Sequence, residues 1–265
     1  MFSKQEGGII SLVYDGKEHI TRVPKTSFWR ATTDNDRGNR HDFRCSEWLT
    51  AGLSQKAQSF EIKEEADKVT LTFEYLLPTS VKTTNTVEYT VTPDGRIHVK
   101  AEYKGVEGLS EMPMYGMDFK LKSELSRFEF LGLGPEENYI DRNKGARLGL
   151  YKSTAKENLS KYLMPQECGN RTGTRYVKVV NEHNEGLCFT YENTPFEFSV
   201  LPYSAYELEN AMHVEELPAV NYTWVRIIGK QMGVGGDDSW GAPVHEQYLI
   251  PSNKNLSFAF NISKA

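Results

Sequence analysis

Val69-Thr70-Leu71-Thr72-Phe73-Glu74-Tyr75-Leu76 alternates apolar and polar side chains. Successive side chains of an extended chain point to opposite faces, so this is the pattern of a strand with one buried face and one wet face. The same reading extends outward. Thr86 to Val91 and Arg96 to Tyr103 flank Pro93-Asp94-Gly95, a stretch with the residues of a tight turn. Ile9 to Tyr14 and Lys17 to Val23 flank Asp15-Gly16, a two-residue hairpin signal. Met117–Leu121, Tyr176–Val180, Leu187–Tyr191, Phe196–Leu201, Tyr222–Ile228 and Leu256–Ile262 also read as strands. Helix signals are few. Phe43 to Leu53 is one, and Ser204-Ala205-Tyr206-Glu207 has the spacing of a capping box opening a helix to about Met212. Many short strands joined by long loops predict an all-β chain, a large antiparallel β-sandwich forming one domain over residues 1–265.

Composition narrows the function classes. A chain of 265 residues can bury a real core. The net charge of −5 and the lack of a basic patch argue against nucleic acid as a partner. No apolar run approaches the roughly 18–20 residues of a membrane span, so no membrane partner is expected. The start, Met1-Phe2-Ser3-Lys4-Gln5-Glu6, lacks the apolar stretch of a secretory signal. Three widely spaced cysteines, Cys45, Cys168 and Cys188, argue against a disulfide framework and fit a reducing compartment, so a cytoplasmic location is expected. Neither Cys-x-x-Cys nor His-x-x-x-His occurs, and no metal site is expected. The 14 Tyr, 13 Phe and 4 Trp supply the flat apolar faces on which sugars stack.

The loops carry the distinctive chemistry. Gly, Asp, Asn, Trp and Arg concentrate in segments 29–48, 132–145, 164–174 and 231–245. Loops on a rigid β scaffold are where binding groups usually sit. In Phe28-Trp29-Arg30-Ala31-Thr32-Thr33-Asp34-Asn35-Asp36-Arg37-Gly38, the acids and amide either bind sugar hydroxyls or cap turns and pair with Arg30 and Arg37. Gly132-Leu133-Gly134-Pro135-Glu136-Glu137-Asn138-Tyr139 is not a phosphate loop, because its third glycine is replaced by Glu137 and two glutamates repel phosphate. In Met232-Gly233-Val234-Gly235-Gly236-Asp237-Asp238-Ser239-Trp240-Gly241, the glycines permit sharp turns that leave Trp240 either on a loop tip or as a core anchor. Retaining glycoside hydrolysis needs two carboxyls about 5–5.5 Å apart across a bond. Asp34 with Asp36, Glu136 with Glu137, and Asp237 with Asp238 are each on one loop and do not make such a pair. His213 with Glu215 or Glu216, and His245 with Glu246, are the pairs a sugar epimerase would use.

At these residues the chain resembles the C-terminal domain of family-2 β-galactosidases, called the small chain when it is encoded separately. The matching stretches are Phe28-Trp29-Arg30-Ala31 with Asp34-Asn35-Asp36, Gly132-Leu133-Gly134-Pro135 with Glu137-Asn138-Tyr139 and Asp141-Arg142, Gly173-Thr174-Arg175, and Gly235-Gly236-Asp237-Asp238-Ser239-Trp240. They occur in the family's order over about positions 25 to 250. The resemblance implies a sandwich of the galactose-mutarotase type. It implies that Trp240 is a stacking platform for bound sugar, and that Gly38 is the hinge of a mobile loop beside the active site. Trp29, Arg30, Asp34, Asn35, Asp36, Asp237 and Asp238 then build the motif. The family's catalytic glutamates, and the ligands of its magnesium and sodium, lie on a TIM-barrel domain that this chain does not contain. The resemblance therefore implies no catalytic residue and no cofactor here, and a catalytic domain or large subunit as partner. It also implies hydrolysis of terminal β-galactosides such as lactose by the whole enzyme, and inactivity of this chain alone. Family small chains have more residues before the first motif, so N-terminal truncation is expected. Two rival expectations are a stand-alone aldose 1-epimerase on the same fold and a non-catalytic carbohydrate-binding module.

Overall fold

The alternation at 69–76 is realised in strand Lys68–Leu77, where Leu71, Phe73 and Tyr75 are buried and Thr70, Thr72 and Glu74 are half-buried. The computed structural model describes residues 1–238 and 240–265. Among the described residues this strand lies in a nine-stranded antiparallel sheet. Its order is Arg147–Thr154, Arg127–Gly134, Tyr176–Val180, Gly186–Tyr191, Leu256–Lys264, Ile97–Tyr103, Thr83–Val91, Lys68–Leu77 and Lys56–Glu65. A five-stranded antiparallel sheet runs Arg171–Thr174, Phe196–Leu201, Tyr222–Gln231, Met114–Lys122 and Lys25–Ser27.

The two sheets meet through aromatic side chains. Phe119 of the smaller sheet packs edge-on against Phe189 and Phe260 of the larger, with ring centroids 4.9 and 6.1 Å away. Phe198 meets Phe130 at 5.0 Å and Phe128 at 5.8 Å, and Tyr115 meets Phe258 at 5.1 Å. Edge-to-face contact sets the positive rim of one ring against the negative face of another and adds about 0.5–1.5 kcal/mol beyond burial. The burial itself contributes roughly 1.5–3 kcal/mol per ring.

Several sequence expectations need correction. Ile9–Tyr14 is not one strand; only Gly8–Ile9 and Val13–Tyr14 are paired. Its partner shrinks to Lys17–Glu18, with Ile20 bridged to Leu121. The turn between them is as expected, with Asp15 and Gly16 both at positive φ. The helix expected over 43–53 breaks at Cys45-Ser46 into His41–Arg44 and Glu47–Ser54. The capping box at Ser204 forms, and its helix is Ala205–Asn210.

Two segments read as loops, 132–145 and 164–174, are partly strand, the first where Arg127–Gly134 runs into it and the second at Arg171–Thr174. Their glycines hid them. A Cβ on Gly134 or Gly149 would lie 2.8 Å from the Tyr151 ring, so these strand glycines make room for an aromatic laid across the backbone. Strand Lys56–Glu65 was concealed differently. It is a sheet edge, mostly exposed, with charges on both faces, which blunts edge-to-edge association.

Candidate functional site

The motif segments lie far apart in sequence, and buried polar contacts bring them together. Arg30 is 1% exposed. It grips Asp36 with two donors, Nε to Oδ2 at 3.2 Å and Nη2 to Oδ1 at 3.0 Å. Its remaining donors reach the carbonyls of Met232 at 2.7 Å and Gly233 at 2.8 Å. One guanidinium therefore joins the first motif to the glycine-rich one. A planar fork of donors suits this task in a way that a lysine does not.

Asp36 has a second task. The segment read as a turn is a short helix, Asp34–Gly38, capped by Thr33 in a full capping box with Asp36. Burial pushes the Asp36 carboxyl up, but Arg30, His41 and the Thr33 amide more than offset this and hold it below its usual range.

The other links close a ring. Gln166 accepts from Asp34 N at 3.1 Å and donates to Asp34 Oδ2 at 3.0 Å. Glu137 accepts from Gly169 N, Ser160 Oγ, Tyr162 Oη and Arg142. Asn138 N donates to Asn170 O at 2.9 Å, and Asn170 Nδ2 returns to Asn138 O at 3.0 Å. Asp141 Oδ2 accepts from Gly235 N at 2.9 Å. The Asn35 amide, oriented to satisfy both its ends, donates to Asp238 O at 3.3 Å and accepts from Gly236 N at 3.2 Å. Among these segments lies a cleft of about 220 Å³, with Asn35, Tyr139, Arg142, Gln166 and Gly236 on its walls. Asp34 and Glu167 reach it too, but Glu167 is held by two bonds from buried Arg226, at 2.6 and 2.8 Å. Asp34 is held by Gln166 and Arg37.

At one edge of this ring the glycine-rich loop carries Trp240 outward. Its ring is 86% exposed, which decides between loop tip and core anchor. Asp238 Oδ1 accepts from both Trp240 N and Ala242 N at 2.9 Å, so the turn under the indole is built by one carboxylate. Asp237 bonds His245 at 2.6 Å. At Trp240 and Gly241 two backbones touch. A Cβ on Gly38 would lie 2.7 Å from Gly241 Cα and 2.9 Å from Trp240 O. A Cβ on Gly241 would lie 2.4 Å from Gly38 C, and Gly241 sits at φ +98, where side chains are disfavoured.

The remaining candidates scatter. Trp29 is 4% exposed and stacks on His41 at 6.0 Å, a core residue rather than a contact for ligand. His213 pairs with Glu216 on the surface, where their side chains are 71% and 49% exposed. His245 pairs with Asp237 and not with Glu246. Neither histidine stands across a cleft from a carboxylate as epimerisation would require. Gln166, Asn170, Glu167 and Arg226 went unrecognised in the sequence. Their partners are distant in the chain, and nothing local marks them. The two glycines of the backbone crossing, Gly38 and Gly241, both stand in the quoted stretches, but nothing local pairs them.

Comparison with known proteins gives a consistent result. Residues 1–262 match the family described as beta galactosidase small chain. The chain is 45% identical over 267 residues to a β-galactosidase of Halalkalibacterium halodurans, covering 100% of this chain and 26% of that one. It is 38% identical over 293 residues to a β-galactosidase small subunit of Latilactobacillus sakei, covering 99% of this chain and 92% of that one. Among solved structures, a galactose mutarotase-like protein from Lactobacillus casei matches with a TM-score of 0.50 at 13% identity, covering 100% and 96% of the two chains. That likeness is one of fold. The chain spans about a quarter of the length of the H. halodurans β-galactosidase.

Proposed function

The chain belongs to the β-galactosidase small-chain family, and on that premise we propose that it completes the sugar site of a larger β-galactosidase without carrying the acids that cleave the bond. Trp240 offers its face to the sugar at the rim of a pocket formed with a catalytic domain or large subunit. Gly38 is the hinge of the neighbouring loop. The assembled enzyme hydrolyses terminal β-D-galactosides such as lactose. The observation that carries this reading is the exposed Trp240, whose own backbone takes part in the Gly38–Gly241 crossing. A large apolar ring held in water by a dedicated turn is poised to gain on the order of 2 kcal/mol when a sugar covers it. The crossing ties the indole's position to the backbone at Gly38, so the hinge and the platform move as a unit.

The magnesium and sodium that the family uses would be held by the partner. Both are hard cations that take oxygen donors. The group of potential ligands gathered among the described residues, His41, Cys45 and Glu111, offers a nitrogen, a sulfur and one carboxylate, and does not fit them. A cytoplasmic location accords with three free thiols. The test is direct. Hydrolysis of a chromogenic galactoside by this chain alone stays at background and appears when the catalytic partner is supplied. Turnover by the purified chain alone removes the proposal.

A further inference from the structure

His41, Cys45 and Glu111 converge from two loops, with a ligand atom of each within 4.8 Å of the others. His41 and Cys45 are four residues apart, the interval that stacks side chains on one face of a helical turn. Glu111 reaches in from the loop preceding strand Met114–Lys122. His41 is 1% exposed, and neither ring nitrogen has a hydrogen-bond partner among the described residues. Its nearest acid, Glu111 Oε1, is 3.9 Å from Nδ1, too far to bond. A buried imidazole with both nitrogens unsatisfied is costly, and native interiors rarely leave such a group without a partner. Cys45 beside it is fully buried and free. The Trp29 ring walls one side, stacked on the imidazole at 6.0 Å. Arg44 bonds Glu111 Oε1 at 2.6 Å, which fixes the carboxylate from outside as second-layer partners of metal ligands do.

We propose that His41, Cys45 and Glu111 form a structural site for a borderline divalent transition metal of the zinc type. The donor set is the argument. One imidazole, one thiol and one carboxylate suit Zn²⁺, or Co²⁺ in its place, and suit magnesium, calcium and sodium badly. Thiolate and carboxylate together neutralise a doubly charged ion. The ion supplies one of the two partners the imidazole lacks. Tetrahedral coordination draws the three donors inward by a fraction of their present separation, a movement that short loop helices can absorb. The consequence is mechanical. His41 lies three residues beyond Gly38, and Glu111 belongs to a separate loop, which precedes strand Met114–Lys122. A bound ion fixes the far end of the segment that Gly38 begins. The site thus sets how much of that segment can swing, independently of which sugar the chain helps to bind.

The test uses Co²⁺ and Zn²⁺ as probes on the chain under reducing conditions. One equivalent of Co²⁺ produces a near-ultraviolet thiolate-to-cobalt charge-transfer band. Cys45→Ser abolishes the band, and Cys168→Ser and Cys188→Ser leave it intact. Zn²⁺ raises the thermal midpoint of the unaltered chain and not that of Cys45→Ser, because binding to the folded state alone stabilises it. Glu111→Gln, which leaves the two buried ligands in place, keeps the fold and weakens Zn²⁺ binding by about tenfold or more. Absence of the band in the unaltered chain, its survival in Cys45→Ser, or a thermal midpoint indifferent to Zn²⁺ overturns the proposal. A water or a void would then be what His41 faces.

Discussion

Phe119, between the sheets, and Arg30, beneath the loops, are both sealed from water, yet their surroundings differ in kind. Phe119 touches other rings, and any apolar side chain of similar volume would recover most of its contribution. Arg30 touches one carboxylate and two carbonyls, and only a five-donor fork of its length satisfies all of them. The sheet region is held by area removed from water, which is forgiving. The loop region is held by matched donors and acceptors in a medium where an unmatched one is costly. A scaffold can be built on the first principle, whereas a site whose atoms must stay put requires the second.

Truncation in the two regions tests this contrast most strongly. Phe198→Ala and Arg30→Ala should each cost about 3–5 kcal/mol in urea denaturation, the first by leaving a cavity and the second by leaving Asp36 charged, buried and alone. Their signatures differ. Phe198→Ala leaves amide exchange in the 231–238 segment unchanged, while Arg30→Ala raises it, because Met232 O and Gly233 O lose their donors. Arg30→Met combined with Asp36→Leu should recover much of the stability and still leave that segment loose. Recovery of both would mean that the pair serves stability alone.

Gly241→Ala is the next largest effect. The strained backbone and the collision with Gly38 should cost about 2–3 kcal/mol and raise amide exchange in both crossing loops. An effect confined to one loop would deny that they move together.

Glu197 gives a pH signature. Burial raises its carboxyl from 4.5 to about 7, against a bond accepted from Asn170. A raised carboxyl favours the folded state most fully below pH 4.5, and that contribution is lost as pH climbs through about 7. Stability should therefore fall by on the order of 2 kcal/mol between pH 5 and 8, and Glu197→Gln should flatten the curve. A wild-type curve already flat over that range would mean that Glu197 ionises as readily in the fold as in the open chain. The smallest effect belongs to Asp238→Ala. Global stability should not change, and Trp240 fluorescence anisotropy should fall as the turn under the indole loosens. Unchanged anisotropy would mean that something else fixes the ring.

How far the sequence carried follows from the same contrast. Strands Lys68–Leu77 and Tyr176–Val180 were legible because alternation is a local signal and burial obeys it. Strand Arg147–Thr154 was not, because Tyr151 supplies the cover that Gly149 lacks, and that cover shows only in three dimensions. In the loops the motif residues could be listed but their tasks could not. Arg30 finds its carbonyl partners about 200 positions away, and Gln166 finds Asp34 at a distance of 132. Nothing local singles out His41, whose neighbour Glu111 comes from a segment 70 positions away.

The account stands or falls on Trp240 meeting the sugar. The measurement that addresses it most directly is the steady-state kinetics of galactoside hydrolysis by the complete enzyme carrying Trp240→Ala, beside Trp240→Phe. Loss of a stacking face worth on the order of 2 kcal/mol predicts a fall in kcat/KM of roughly thirtyfold for the alanine variant, partly restored by phenylalanine. Unchanged kcat/KM in both variants, with stability intact, would contradict it.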